Sequence, residues 1–104
     1  MKKESLKSAI HYLIKKHSKD RPIKSSEIKR RLGCSDVAIR ESIHELRSKD
    51  CVPICSGNRG YFYPSDLSQA QHTYNHLTSR SREMISAAKG IKRHFEKDNQ
   101  LSIV

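Results

Sequence analysis

Apolar residues recur at helical spacing in several stretches of the chain, separated by short breaks. Leu6, Ala9, Ile10, Leu13 and Ile14 share one stripe, which predicts a helix over residues 5–17. Lys7, Lys15 and Lys16 line its other side, and His11 and His17 read as surface residues. Pro22 disfavours helix before it, so residues 18–22 read as a loop. Ile28 and Leu32 mark a short second helix that Ser25 or Ser26 can cap, and Gly33-Cys34 breaks it. Ser35 stands immediately before a third helical pattern, with Asp36 in its first turn. A serine there can accept a hydrogen bond from an exposed amide, and the acid suits the positive end of the helix dipole. Ile39, Ile43 and Leu46 recur at i, i+4 and i+7 as the buried stripe of this helix. Asp36, Arg40, Glu41, His44 and Arg47 fall largely outside that stripe, and the helix runs out near Lys49-Asp50.

A short alternating segment over residues 51–55 comes next, then Ser56-Gly57-Asn58-Arg59-Gly60, then Tyr61-Phe62-Tyr63. Two short strands around a glycine-containing loop predict a β-hairpin. Ile23 is expected to bridge to it as a third strand. Tyr61 and Tyr63 share one face, with Phe62 on the other. Tyrosines so placed could stack on unpaired bases, but their expected role is to close the small core against the first helix.

Two helices joined by so tight a turn cross steeply, as in a helix-turn-helix. A hairpin directly after them makes a winged helix. The run SDVAIRESIHELR, followed by a hairpin ending GNRGYFYP, resembles the winged-helix DNA-binding domain of biotin operon repressors. It also resembles the small helix-turn-helix proteins of bacteriophages and prophages. The matching features are the serine before the third helix, the A-I-x-x-x-I-x-x-L-R spacing from Ala38 to Arg47, and G-x-x-G-Y from Gly57 to Tyr61. Asp36 departs from the neutral or basic residue that many relatives carry. The resemblance covers roughly the first two-thirds of the chain. It implies a transcriptional regulator, of phage or prophage origin. No biotin-ligase domain is expected, since the chain ends about where one would start.

Pro64-Ser65-Asp66 reads as a boundary, and Ser65 or Asp66 can cap a long helix. Leu67, Ala70, Tyr74, Leu77, Ser81, Met84, Ala88, Ile91 and Phe95 then alternate three and four apart without a slip. That spacing is the heptad seam of a coiled coil. The seam is built partly of small residues, and Gly90 weakens its last turns by about 1 kcal/mol relative to alanine. A helix of that length spans about 45 Å, longer than so small a domain needs for itself. The expected partner is a second copy, with folding back onto the first domain as the alternative. The expected organisation is a winged helix-turn-helix over residues 1–64, a dimerisation helix over 65–97 and a flexible tail over 98–104. The fold class is mainly α with a small β-hairpin.

Charge sharpens the picture. The chain of 104 residues carries 21 Lys and Arg against 11 Asp and Glu, a net charge of +10. Residues 1–64 hold 15 basic and 7 acidic side chains, whereas residues 65–104 hold 6 and 4. The excess thus coincides with the helix-turn-helix, which points to a polyanion. The expected DNA contacts divide by element. Ser35, Asp36, Arg40, Glu41 and His44 would read bases from the third helix, since the second helix of the motif enters the major groove. Lys29, Arg30, Arg31 and Arg47 would hold phosphates. Asn58 and Arg59, at the tip of the wing, would reach the backbone or the minor groove.

Other chemistry finds little footing. There is no glycine-rich phosphate loop and no G-x-S-x-G. The three cysteines, Cys34, Cys51 and Cys55, read as reduced cytosolic thiols. Cys51 and Cys55 lie four apart, with no second ligand pair at metal spacing. His72 and His76 are i, i+4 on the long helix but lack a third ligand. No signal peptide or membrane-length apolar run is visible. The expectation is a cytoplasmic, non-enzymatic protein without metal or cofactor, binding double-stranded DNA as a homodimer through its C-terminal helix. The alternative is a winged helix used as a protein-binding module, for instance an inhibitor or adaptor docking on a host protein.

Overall fold

A computed structural model of the chain describes residues 2–97, apart from the side chains of Phe95 and Lys97. The expected tail over 98–104 lies outside the described residues. The order is α1 (Lys3–Lys15), α2 (Ser25–Leu32), α3 (Asp36–Ser48), β1 (Cys55–Gly57), β2 (Gly60–Phe62) and α4 (Leu67–Lys97). The protein is thus mainly helical, with one small antiparallel sheet among the described residues. Chain contacts divide it into two units, Met1–Thr73 and Tyr74–Val104.

In the first unit the apolar stripes meet. Ile10 and Ile14 of α1, Ile28 of α2, and Ile39, Ile43 and Leu46 of α3 form one core with Ile23 and Ile54. Leu6, Leu13, Leu32, Cys34, Val52 and Tyr61 pack around it. The α1 helix begins and ends two residues earlier than the stripe predicts. The Lys2 carbonyl accepts from the Leu6 amide at 2.9 Å, which draws Lys3 and Glu4 into the first turn. At the other end Ser18 and Arg21 form an isolated bridge, and His17 Nδ1 sits 2.9 Å from the Arg21 carbonyl oxygen. His11 and His17 are both half-buried rather than surface residues. His11 lies against Tyr63, with ring centroids 6.2 Å apart.

Neither expected serine caps α2. Both lie inside its first turn, and Lys24 precedes the helix without a side-chain cap. The helix ends at Gly33, whose φ of 62° is the left-handed conformation that glycine adopts without a Cβ penalty. Ser35 caps α3 as expected, its Oγ accepting from the Ala38 amide at 3.1 Å. Ion pairs fasten α1 to α3. Lys7 lies 3.0 Å from Asp50, and Glu45 has Lys3, Lys7 and Lys49 around it at 3.5–4.0 Å. The bond to Asp50 holds the Lys7 ammonium above its usual pKa. Partial burial pushes the Glu45 carboxyl up, but the three lysines outweigh it and the net shift is downward.

Residues 51–54 are not the strand that alternation suggests. Cys51 takes φ 55°, the Val52 amide turns back to the Leu46 carbonyl at 2.9 Å, and Pro53 has no amide to give a ladder. The hairpin therefore starts at Cys55, pairing Cys55 with Phe62, Ser56 with Tyr61 and Gly57 with Gly60. Asn58 and Arg59 form its two-residue turn. Ile23 completes the sheet, as expected: its amide donates to the Tyr61 carbonyl and the Tyr61 amide to the Ile23 carbonyl, both at 2.8 Å.

The first turns of α4 belong to this unit. Asp66 caps them, its Oδ1 accepting from the Gln69 amide at 2.9 Å, while Gln69 Oε1 accepts from the Ser65 amide. Thr73 Oγ1 accepts from the Ser56 amide at 3.4 Å, and the Cys55 thiol donates to the Gln69 carbonyl. Cys55, Phe62 and Thr73 are buried.

In the second unit the seam residues Tyr74, Leu77, Met84 and Ile91 are exposed, as is Ile85, which the heptad spacing does not include. No helix of the described residues is long and apolar enough to cross a membrane.

Gly60 has φ 134°, and a Cβ there would collide with the Ile23 carbonyl. Gly60→Ala is expected to cost about 1–3 kcal/mol from backbone strain alone, more if the Ile23 pairing is lost. Urea unfolding followed by circular dichroism measures it; an unchanged midpoint would show that the pairing is dispensable.

Candidate nucleic-acid interface

The α3 helix is held by its buried stripe, and this dictates what it exposes. With Ile39, Ile43 and Leu46 inward, Asp36, Val37, Arg40, Glu41 and His44 remain exposed. The side chains of Arg40, Glu41 and His44 have no partner among the described residues. Ser35 Oγ is occupied as a cap acceptor and keeps only its own proton to donate. Asp36 faces Lys29 of α2 at 3.5 Å, both about half exposed. The face thus offers one unpaired guanidinium, one unpaired carboxylate and an imidazole.

The cations expected on phosphates turn out to be differently engaged. Arg30 makes a bidentate pair with Glu27, its Nε and one terminal nitrogen donating at 2.7–3.0 Å. Arg31 donates to the same carboxylate through Nε at 2.9 Å. These bonds, Arg30 first and then Arg31, hold the Glu27 carboxyl below the usual carboxylate range. The pairs are exposed and break cheaply when a phosphate competes.

Arg47 is different. Its Nε donates to the Ile54 carbonyl at 2.9 Å and a terminal nitrogen to Ser56 Oγ at 3.3 Å. Burial pushes its pKa down, with Tyr61 and Cys55 partly offsetting this. An arginine spent this way ties α3 to β1 and the residue before it. It is a brace of the hairpin that leaves one terminal nitrogen without a partner among the described residues.

Asn58 and Arg59 are exposed at the hairpin turn. They border a cleft of about 580 Å³ that also takes in Arg21, Lys24, Ser26 and Arg31. Arg21 and Lys24 are functional candidates that sequence reasoning passed over. The available signal was their position: they flank Ile23, the residue expected to pair with the hairpin, so that pairing brings them to the wing.

The tyrosines are committed elsewhere. Tyr61 packs on the core and Tyr63 lies against His11, both partly buried. Cys34 is half-buried, Cys51 exposed and Cys55 buried, all three free. Among the described residues no three His, Cys, Asp or Glu side chains come together at metal-binding distances.

Arg47→Ala is expected to destabilise the first unit by about 1.5–3 kcal/mol, the usual worth of hydrogen bonds to a charged group. Thermal unfolding measures this. A variant as stable as the parent would return Arg47 to the set of free surface cations. The sequence matches no family model, and comparison with curated proteins and with solved structures finds no match.

Proposed function

We propose that this chain is a winged helix-turn-helix protein that binds duplex DNA as a homodimer and regulates transcription. The observation that carries the reading is α3 itself. It follows α2 across a tight turn, is fixed by a serine cap and an isoleucine stripe, and leaves Arg40, Glu41 and His44 exposed and unpartnered. The hairpin that follows, with Ile23 as third strand and Arg59 at its turn, has the layout of a wing. The net charge of +10 supports a polyanionic partner. In this reading α3 enters the major groove. Arg40 binds guanine O6 and N7 in a bidentate manner, and Asp36 or Glu41 accepts from cytosine N4.

The α4 helix supplies pairing. Leu67, Tyr74, Leu77, Met84 and Ile91 are exposed along one heptad seam. Two copies of such a seam are complementary to each other, so a two-fold dimer covers both and presents two α3 helices. A second reading, a protein-binding module, draws on the exposed Val37 and on the near balance of acids and bases on α3. Failure to shift any duplex at low salt would favour it.

Arg40→Ala is expected to cost about 1–3 kcal/mol at one base position and little on scrambled duplex. Fluorescence anisotropy on both duplexes tests it, and equal losses on both would reduce Arg40 to a phosphate contact. Leu77→Asp is expected to give monomers that keep the first unit folded. Light scattering with circular dichroism reads this. A parent protein that is monomeric at tens of micromolar, where 1 μM affinity corresponds to about −8 kcal/mol, would refute the dimer.

A further inference from the structure

We propose that the cleft between the loop after α1, α2 and the hairpin turn is a second phosphodiester site, which clamps the DNA backbone independently of the α3 face. The proposal rests on the DNA-binding reading and adds to it where the electrostatic part of the affinity resides.

Four cationic side chains line the cleft: Arg21, Lys24, Arg31 and Arg59. Arg21, Lys24 and Arg31 come from one short stretch of chain, and the pairing of Ile23 with Tyr61 brings the distant Arg59 to them. Arg21, Lys24 and Arg59 have no side-chain partner among the described residues. Arg31 spends only Nε on Glu27, so both its terminal nitrogens are free. Two carboxylates share the cleft, Asp20 and Glu27. The Glu27 charge is already matched, since its two oxygens accept from Arg30 and Arg31. What remains is a concave, cation-rich wall with one opposing free carboxylate, and concave walls of one sign concentrate their field on an entering anion.

The donors suit phosphate. A guanidinium offers a planar fork to two phosphate oxygens, and a lysine supplies a point charge. The α3 face is a poor phosphate site by comparison. There Arg40 stands among Asp36 and Glu41, and Lys29 is paired with Asp36. The two surfaces therefore divide the work: α3 discriminates between bases, and the cleft holds the backbone whatever the sequence.

The test uses the whole chain with the double variant Arg21→Ala, Lys24→Ala, and fluorescence anisotropy of labelled duplex from low to moderate salt. Each lost phosphate contact makes the slope of log affinity against log salt shallower by about 0.9. In the dimer, with two clefts on the duplex, the double variant should lose about 4 in slope, and by the same amount on preferred and scrambled duplex. Adding Arg59→Ala should remove about 2 more. The hydrogen bond from His17 to the Arg21 carbonyl and the burial of Ile23 do not involve the truncated side chains, so circular dichroism should be unchanged. Parental slope in both variants would overturn the cleft while leaving the DNA reading intact. So would a loss confined to one sequence. A parent protein that binds no duplex even at low salt would overturn both.

Discussion

The first unit depends on a two-way backbone contact, the reciprocal hydrogen bonds between Ile23 and Tyr61. Strands of three residues are too short to hold a sheet by themselves. The hairpin persists because a third segment pairs with it and because that segment buries Ile23 in the helical core. Ile23 lies just before α2 and Tyr61 well after α3, so the contact closes the two helices into one body. Gly60 makes the approach possible, since any side chain there would meet the Ile23 carbonyl. Arg47 adds a brace from the opposite side, running from α3 to Ile54 and Ser56. Between them the orientation of α3 and of the hairpin turn is set from both edges of the sheet.

The same contact brings part of the free charge together. Acids and bases in this chain pair locally where helices bring them together: Glu27 with Arg30 and Arg31, Asp36 with Lys29, Glu45 with Lys3, Lys7 and Lys49. Each carboxylate consumes cations that a charge count would assign to nucleic acid. Lys2, Lys15, Lys16, Lys19, Arg21, Lys24, Arg40 and Arg59 escape this pairing, and of these Arg21, Lys24 and Arg59 line the cleft beside the junction that Ile23 makes with the hairpin. A basic excess summed over residues 1–64 is thus a poor guide to which side chains are available.

Much of the fold could be read from spacing. The stripes of α1, α2 and α3, the Ser35 cap and the Ile23 bridge all follow from local rules, and the structure carries each of them. What escaped is non-local. Nothing in the run from Cys51 to Cys55 announces that Cys51 adopts a left-handed conformation and that Val52 bonds back to Leu46. Alternation alone looks the same in a strand and in a compact wrap around a helix end. Arg47 reads as a surface cation by helical phase, and only the position of Ile54 and Ser56 turns it inward. The cleft residues Arg21 and Lys24 lie in what local sequence marks merely as a loop.

The two faces of the hairpin bear on the remaining helix. One face meets the core through Ile54 and Tyr61; the other carries Cys55 and Phe62, both buried, and is met by Gln69 and Thr73 of α4. Gln69 and Thr73 are four apart, one helical stripe. Leu67 and Tyr74 lie on a different stripe and remain exposed, whereas Leu77, four residues beyond Thr73, is 40% exposed. Within the first unit, attachment of the first turns of α4 to the hairpin leaves Leu67 exposed and Ala70 partly buried. A helix that needed its apolar stripe to dock on the hairpin would have none left for another chain. Here a hydroxyl, a backbone carbonyl and a thiol make the attachment, and the large apolar side chains stay available to the second copy proposed to cover them.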